Sequence, residues 1–128
     1  MPETPKMGSI GWMDLTVSNA SEVRDFYCAV AGWRPHPVAM GDYEDFAMMP
    51  DGAAQPVGGI CHARGENEGL PPVWLIYIVV PDIDAALAEV SARGGAVVRP
   101  AQSMGGARYA VISDPAGAVC SLYQPATE

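Results

Sequence analysis

Residues 10–33 read IGWMDLTVSNASEVRDFYCAVAGW, and residues 73–96 read VWLIYIVVPDIDAALAEVSARGGA. Both stretches have the same order of elements: a short apolar strand, a polar residue that can cap a helix, an amphipathic helix and a glycine. They align at one constant offset, since Val17 corresponds to Val80 (80 − 17 = 63). A pattern repeated at a fixed spacing predicts two copies of one structural unit.

The sequence after each helix extends the repeat. Three further strands are predicted in each half, separated by turns that contain glycine, proline or aspartate. The predicted strands cover residues 10–17, 33–40, 43–49 and 57–64 in the first half and 74–80, 96–99, 108–113 and 118–123 in the second. This order predicts an α+β fold of two tandem βαβββ modules, with curved mixed sheets that enclose a cleft.

The ends of the two helices carry cap signals. Asn19 and Glu22 have the spacing of a capping box, in which Asn19 accepts a hydrogen bond from the first turn and Glu22 reaches back. Asp82 is expected to cap the second helix, and Gly32 to end the first in a left-handed conformation. A chain of 128 residues is normally one domain. We therefore predict a single domain over 1–128, with modules at 8–64 and 73–125 and a linker at 65–72.

The charge balance bears on the partners of this chain. It has a net charge of −8 and only 7 Lys and Arg residues, whereas nucleic acids and anionic membranes are bound through clustered positive charge. Neither is an expected partner, and a small molecule is. No run reaches the roughly 18 apolar residues that cross a bilayer, and residues 1–6 lack the apolar stretch of a secretory signal. We therefore expect a cytoplasmic protein.

Several short motifs occur in the order seen in a known superfamily. They are Trp12-Met-Asp-Leu-Thr-Val17, Phe26-Tyr27 followed by Gly32-Trp33, Val80-Pro-Asp82, Gly94-Gly95 and Asp114-Pro-Ala-Gly117. In order, spacing and duplication over about residues 8–125, the sequence resembles the vicinal oxygen chelate superfamily, which includes glyoxalase I, the bleomycin-resistance proteins and extradiol dioxygenases. Because members of that superfamily commonly form dimers, the resemblance implies a homodimer.

The superfamily's chemistry, where it occurs, uses one divalent metal held from four positions. One position lies in the first strand and one in the last strand of each module. The resemblance places them at Trp12 and Leu75 in the first strands and at Ser121 and Gly58 in the last (121 − 63 = 58). An indole N–H only donates, leucine and glycine have no side-chain ligand, and one serine does not hold a metal. We therefore expect no metal and no other cofactor.

If the four metal positions face the cleft, the alternation of side chains along a strand places the rest of its lining. Aromatic and apolar groups with a few polar ones are typical of a small-molecule site. The candidate ligand-binding residues are Trp12, Asp14, His62, Leu75, Tyr77, Ser121 and Tyr123. The same alternation directs Ile60 towards the cleft together with Gly58 and His62.

Asp14 and His62 are the candidate catalytic residues. A carboxylate in the middle of an apolar strand is costly unless it is paired or functional. Asp14 is therefore either a base or cation anchor, or the structural partner of Arg34, Arg108 or a backbone N–H. His62 either transfers protons near neutral pH or is a solvated residue at the end of its strand.

Three functions are compatible with these residues. The first is metal-independent binding of an aromatic or cationic compound, as in drug-sequestering members of the superfamily. The second is a metal-dependent lyase, isomerase or dioxygenase of the glyoxalase type, with ligands from elsewhere, for instance Asp14 and His62. The third is a metal-free acid–base enzyme, with Asp14 or His62 as the base and Tyr77 or Tyr123 as the proton donor. The residues at the four metal positions and the acidic balance favour the first.

Overall fold

The computed structural model describes residues 6–126, apart from the side chain of Glu66. Most of the segment 1–6, which was used to predict the location, lies outside the described residues. The elements are β1 (Ile10–Val17), α1 (Ala20–Ala31), β2 (Arg34–Ala39), β3 (Glu44–Met49), β4 (Gly58–His62), a short 3-10 helix (Gly65–Asn67), β5 (Trp74–Val79), α2 (Ile83–Ala92), β6 (Ala96–Met104), β7 (Ala107–Ser113) and β8 (Val119–Gln124). Neither α-helix in this part of the chain is long and apolar enough to span a membrane.

The chain folds into two compact units. Met13–Trp74 forms one, and the described parts of Met1–Trp12 and Leu75–Glu128 form the other. We call them the first unit and the second unit. The order βαβββ occurs twice, which confirms the α+β fold of two modules. The domain boundaries given above stay a prediction.

The first unit has a mixed sheet with the strand order β2-β3-β4-β1. β1 and β4 are parallel, and the other two pairs are antiparallel. α1 covers one face of this sheet, where Ala20, Phe46, Met48 and Ile60 form a buried cluster. Full burial of a large apolar side chain contributes about 1.5–3 kcal/mol, so this cluster fixes the helix on the sheet.

The second unit repeats the arrangement with the strand order β5-β8-β7-β6. β5 and β8 are parallel, and the pairs β8–β7 and β7–β6 are antiparallel. α2 packs on one face, with Ile83, Ala110, Ile112 and Leu122 as the buried cluster. In each unit, therefore, one face of the sheet packs against the helix and the opposite face does not.

The helix ends confirm two predicted caps and correct the third. Asp82 accepts a hydrogen bond from Ala85 N at 3.1 Å, and Gly32 ends α1 with a left-handed φ of 71°. Asn19 precedes α1, but its side chain makes no capping hydrogen bond. The side-chain nitrogen of Asn19 donates instead to Glu22 Oε1 at 3.2 Å. The predicted capping box is wrong: with φ −110° and ψ 50°, Asn19 does not have the extended conformation typical of an N-cap.

β6 is longer than the sequence predicts. The pattern predicts an end at Arg99, but the strand continues through Pro100 to Met104. A proline is tolerated there because β6 is the outer strand of its sheet. The pairing of β6 with β7 shifts register on both sides of Arg99. Such bulges bend a strand and re-aim its side chains.

Candidate functional site

Each unit has a sheet face opposite its helix, which we call the helix-free face. In the second unit Ile78 and Leu122 pack with the cluster under α2. Because side chains alternate along a strand, their neighbours Tyr77 and Ser121 lie on the helix-free face. By the same alternation this face carries four of the predicted ligand-binding residues: Leu75, Tyr77, Ser121 and Tyr123.

One line of side chains crosses this face from strand to strand. Tyr77 is paired with Ser121, Ser121 with Val111, and Val111 with Arg99. Residues directly opposite each other share a face, so Arg99 also lies on the helix-free face. We call these four residues the cross-strand row. Sequence reasoning missed Arg99, because it ended the predicted strand there and gave it no face.

Ser121 is the polar centre of the cross-strand row. The residue is 0% exposed. Among the described residues, its Oγ is the one buried side-chain nitrogen or oxygen atom that has no hydrogen-bond partner. An unsatisfied buried hydroxyl costs about 1–3 kcal/mol. A ligand atom that pairs with this Oγ would remove that cost.

A second line of paired residues runs beside the cross-strand row. Val79 is paired with Tyr123, Tyr123 with Tyr109, and Tyr109 with Gln102. The Tyr109 hydroxyl donates to Gln102 Oε1 at 3.3 Å. Two tyrosines therefore lie next to the polar centre at Ser121.

Trp12 lies in the segment of β1 that belongs to the second unit, and it is partly buried. Backbone hydrogen bonds hold the start of this segment on β5: Gly8 N donates to Val79 O at 2.7 Å, and Val79 N donates to Ser9 O at 2.9 Å. A Cβ at Gly11 would lie 3.2 Å from Val79 Cγ2. The segment thus approaches β5 so closely that a side chain larger than glycine would crowd it at this point.

Asp14 lies on the helix-free face of the first unit. Its register partner is Gly59, and a Cβ on Gly59 would come within 2.5 Å of Asp14 Oδ1. The carboxylate thus occupies the space that a side chain at position 59 would need. Burial, with smaller contributions from the charges of Asp14 and Asp45, raises the pKa of the Cys61 thiol. This part of the face disfavours a further negative charge.

The two arginines that the sequence offered as structural partners of Asp14 are engaged elsewhere. Arg108 binds Asp84 through two hydrogen bonds of 2.8 and 3.1 Å. Arg34 Nε lies 4.0 Å from Asp51 Oδ1.

The facing assigned to β4 from the sequence is wrong by one residue. Ile60 is fully buried in the cluster under α1, so Gly58 and His62, each two residues away, share that side of the sheet. The His62 ring lies 5.6 Å from the Tyr43 ring and 6.2 Å from the Phe46 ring, measured between centroids. Ile60 and His62 are therefore not on the helix-free face with Asp14.

The reason for this error is that the repeat does not keep one offset to its end. Asp14 pairs with Gly59 in the way that Tyr77 pairs with Ser121. The first strands keep the offset of the helices (77 − 14 = 63), but the last strands differ by one residue less (121 − 59 = 62). Gly59, rather than Gly58, is thus the counterpart of Ser121.

Asp45 is a buried acid that sequence reasoning missed. Its side chain is 9% exposed, and Oδ1 accepts a hydrogen bond from His62 N at 2.8 Å. The same oxygen lies 3.4 Å from His62 Nδ1. The signal was present, since Asp45 stands in an otherwise apolar strand, as Asp14 does. Asp45 orients the backbone and the ring of His62.

The four superfamily metal positions do not fit a metal ion. With the corrected register they are Trp12, Leu75, Gly59 and Ser121, which together offer one neutral hydroxyl oxygen. Divalent metals in proteins are held mainly by carboxylate, imidazole or thiolate groups, with carbonyl and water oxygens as further ligands. Among the described side chains, which are those of residues 6–126 apart from Glu66, no group of three or more His, Cys, Asp or Glu is placed to hold an ion.

A cavity of about 310 Å³ in the second unit lies on the other side of the sheet, beside α2. Its lining includes Ala86, Val90, Ile112 and Leu122. None of the predicted site residues lines it.

Comparison with known proteins identifies the family of this chain. The model of the Glyoxalase/Bleomycin resistance protein/Dioxygenase superfamily matches residues 9–121. A relative from Mycobacterium tuberculosis (strain CDC 1551 / Oshkosh), named "Putative glyoxylase CFP32", is 35% identical over 93% of this chain and 46% of its own length. The anthracycline biosynthesis protein DnrV of Streptomyces peucetius is 28% identical over 91% of this chain and 47% of its own. The chain thus spans about half the length of these relatives.

Solved structures agree with the fold. The methylmalonyl-CoA epimerase of Mycobacterium tuberculosis superposes with a TM-score of 0.59 and 18% identity, over 99% of this chain and 94% of the epimerase chain. A superfamily member from Vibrio splendidus 12B01 superposes with a TM-score of 0.58 and 16% identity, over 88% of this chain and 96% of its own. These likenesses concern the fold alone. Together with the match over residues 9–121, they confirm the resemblance: the chain belongs to the Glyoxalase/Bleomycin resistance protein/Dioxygenase superfamily.

Proposed function

We propose that this chain binds a small aromatic or cationic compound and does so without a metal ion. The observation that carries the proposal is the donor set at the four metal positions: an indole, a leucine, a glycine and a serine. A fold that keeps these positions but offers one neutral oxygen retains a place for a ligand and lacks the groups that hold a metal.

The aromatic part of the proposal is supported by the helix-free face of the second unit. Tyr77, Tyr109 and Tyr123 lie there beside buried apolar residues such as Leu75 and Val111. Tyrosines offer a flat apolar surface and a polar tip, which suits planar compounds with polar substituents. The name of one relative, which places it in anthracycline biosynthesis, is compatible with a ligand of this kind.

The cationic part is supported by the first unit and by the net charge. Asp14 lies on its helix-free face, and Asp45 lies buried nearby, where both charges act on Cys61. The chain as a whole carries a charge of −8, which attracts cations.

The test is a metal analysis combined with ligand binding. Protein purified without chelator is expected to contain no stoichiometric divalent ion. An aromatic ligand found by thermal stabilisation is expected to bind equally well with and without EDTA. A stoichiometric ion that disappears in Asp14→Ala, or binding that EDTA abolishes, would contradict metal-independent binding.

Metal-free acid–base catalysis is the second candidate. It is favoured by one observation, the 3.4 Å separation between His62 Nδ1 and Asp45 Oδ1. A carboxylate that orients an imidazole is a common support for a general base. If the chain is such an enzyme, a compound bound next to His62, on the helix side of β4, will be turned over and His62→Gln will abolish turnover. Binding without conversion would leave the first candidate.

The homodimer and the cytoplasmic location complete the proposal. Both rest on the sequence: the dimer on the resemblance to the superfamily, and the location on the composition. Light scattering after size exclusion is expected to give twice the chain mass of 13.5 kDa. A monomer at micromolar concentration would contradict the dimer.

A further inference from the structure

We infer that the cavity beside α2 is a second small-molecule site, which takes a compact, uncharged and apolar compound. It lies on the side of the sheet that packs against α2, away from the helix-free face. The inference therefore goes beyond the proposed function and does not depend on it. Three observations carry it: smaller side chains on α2 than on α1, the apolar lining of the cavity, and the partners of the charged residues at its edge.

The internal repeat explains why there is space beside α2. The apolar α2 residues that line the cavity are Ala86 and Val90. At the offset of 63 they correspond to Val23 and Tyr27 of α1 (86 − 23 = 63, 90 − 27 = 63). Val23 and Tyr27 pack against the buried cluster of the first unit, and the Tyr27 ring stacks on Trp33 with 5.6 Å between centroids. Because both positions have smaller side chains on α2, room is left between this helix and its sheet.

The lining and the volume of the cavity define the compound that fits. Ile112 and Leu122 belong to the buried cluster under α2 and form the floor, while Ala86, Val90 and Pro115 add further apolar surface. The volume is about 310 Å³, which is within the range of ligand pockets. An apolar cavity of about 150 Å³ already binds benzene. A compact hydrocarbon body of two or three fused rings therefore fits beside α2.

The charged residues of the lining have partners within the chain. Glu89 and Arg93 are largely exposed and so form the edge of the cavity, and Arg93 Nε donates to Glu89 Oε2 at 2.6 Å. Asp114 Oδ1 accepts hydrogen bonds from Ala116 N at 2.8 Å and Ala118 N at 3.0 Å. A charged ligand would lose hydration here and gain little from charges that are already paired. An uncharged compound gains from the apolar surface that it removes from water.

The experiment uses three probes that share one compact apolar body and differ in charge. They are adamantan-1-ol, 1-aminoadamantane and adamantane-1-carboxylate, each titrated into the full chain near pH 7 and followed by the NMR signals of the backbone amides. We expect adamantan-1-ol to bind with a dissociation constant below about 1 mM and to shift the amides of α2, Ile112 and Leu122 most. The charged probes are expected to bind there at least about ten-fold more weakly, because their charge loses hydration.

A variant that fills the cavity and a matched control assign the binding to it. Ala86→Leu adds apolar volume at a residue of the lining and is expected to weaken adamantan-1-ol at least about ten-fold. It is also expected to raise the melting temperature, because filling a cavity stabilises a protein. Ala88→Leu adds the same side chain at an exposed position of α2 and is expected to bind adamantan-1-ol as the unaltered chain does.

The outcomes separate this inference from the proposed function. If adamantan-1-ol does not bind, or if Ala86→Leu binds it as tightly as Ala88→Leu does, the inference is overturned. A melting temperature of Ala86→Leu below that of Ala88→Leu would show that position 86 has no room for a larger side chain and would overturn it too. A charged probe that binds beside α2 as tightly as the alcohol would overturn the class of ligand. The proposed function fails separately, in the test with EDTA and an aromatic ligand.

Discussion

β4 in the first unit and β8 in the second are equivalent strands with opposite chemistry on their helix-free faces. Each is parallel to the first strand of its own module. At the equivalent point β4 has Gly59, whose missing side chain makes room for Asp14, whereas β8 has Ser121, whose hydroxyl has no partner. The two modules thus share the same strand pairing at this point but have different side chains on their helix-free faces. The first unit fills this space with a carboxylate, whereas the second has a buried hydroxyl without a hydrogen-bond partner among the described residues.

On the side that faces the helix, both strands have a buried apolar residue. Substitution of these residues is expected to have the largest effect on stability. Ile60 and Leu122 are both buried under a helix. Ile60→Ala and Leu122→Ala are each expected to lower the free energy of unfolding by about 2–5 kcal/mol, because each leaves a cavity. Urea denaturation measures this. A loss below about 1 kcal/mol for Ile60→Ala would contradict its corrected position under α1.

The second-largest effect on stability is expected where Asp45 of β3 contacts His62 at the end of β4. Asp45→Ala removes the acceptor of the His62 backbone N–H. A hydrogen bond to a charged group is worth about 1.5–3 kcal/mol, so the free energy of unfolding is expected to fall by that amount. Asp51→Ala, at a largely exposed turn, is the control and is expected to have little effect. Equal stabilities of the two variants would contradict the structural role of Asp45.

The third prediction concerns the space beside Gly59, which Asp14 occupies. A side chain added at position 59 is expected to lower stability by a smaller amount, and a second substitution is expected to restore it. Gly59→Ala places a Cβ against Asp14 Oδ1 and is expected to cost about 1–3 kcal/mol by overpacking. Because the clash is with one side chain, Asp14→Ala combined with Gly59→Ala is expected to recover most of that loss. A double-mutant cycle measures the recovery. Strictly additive losses would show that the carboxylate is not what excludes a side chain at position 59.

Ser121→Ala is expected to have the smallest effect on stability and in the opposite direction. Because the buried hydroxyl has no partner, its removal loses no hydrogen bond and relieves a desolvation cost, so stability is expected to stay equal or to rise by about 1 kcal/mol. Urea denaturation of the ligand-free chain measures this. A clear loss of stability would mean that the hydroxyl is satisfied within the folded chain.

Much of the architecture follows from the sequence, because it depends on short-range patterns. The bounds of β1 agree with the prediction, Asp82 and Gly32 cap helices as expected, and the second module places Leu75, Tyr77, Ser121 and Tyr123 on one face. The predicted β6 ends at Arg99, whereas the strand continues through Pro100, which its outer position in the sheet permits.

The residues of the candidate site depend on the register between strands, which the sequence does not specify. The prediction applies the offset of 63 to β4, whereas the strand pairing gives an offset of 62 between β4 and β8. A shift of one residue moves every side chain of a strand to the opposite face. His62 and Ile60 were therefore placed on the wrong face. Arg99 and Asp45 were missed because their roles come from residues paired with them or bonded to them from other strands.

The sequence by itself determined the superfamily and the βαβββ repeat. These are properties of local spacing and of side-chain chemistry, which a linear pattern carries. Only the tertiary structure decided which residues share a face: Ser121 with Arg99, and Asp14 with Gly59. Register between distant strands is set by packing against each helix, and a count along the chain does not contain that information.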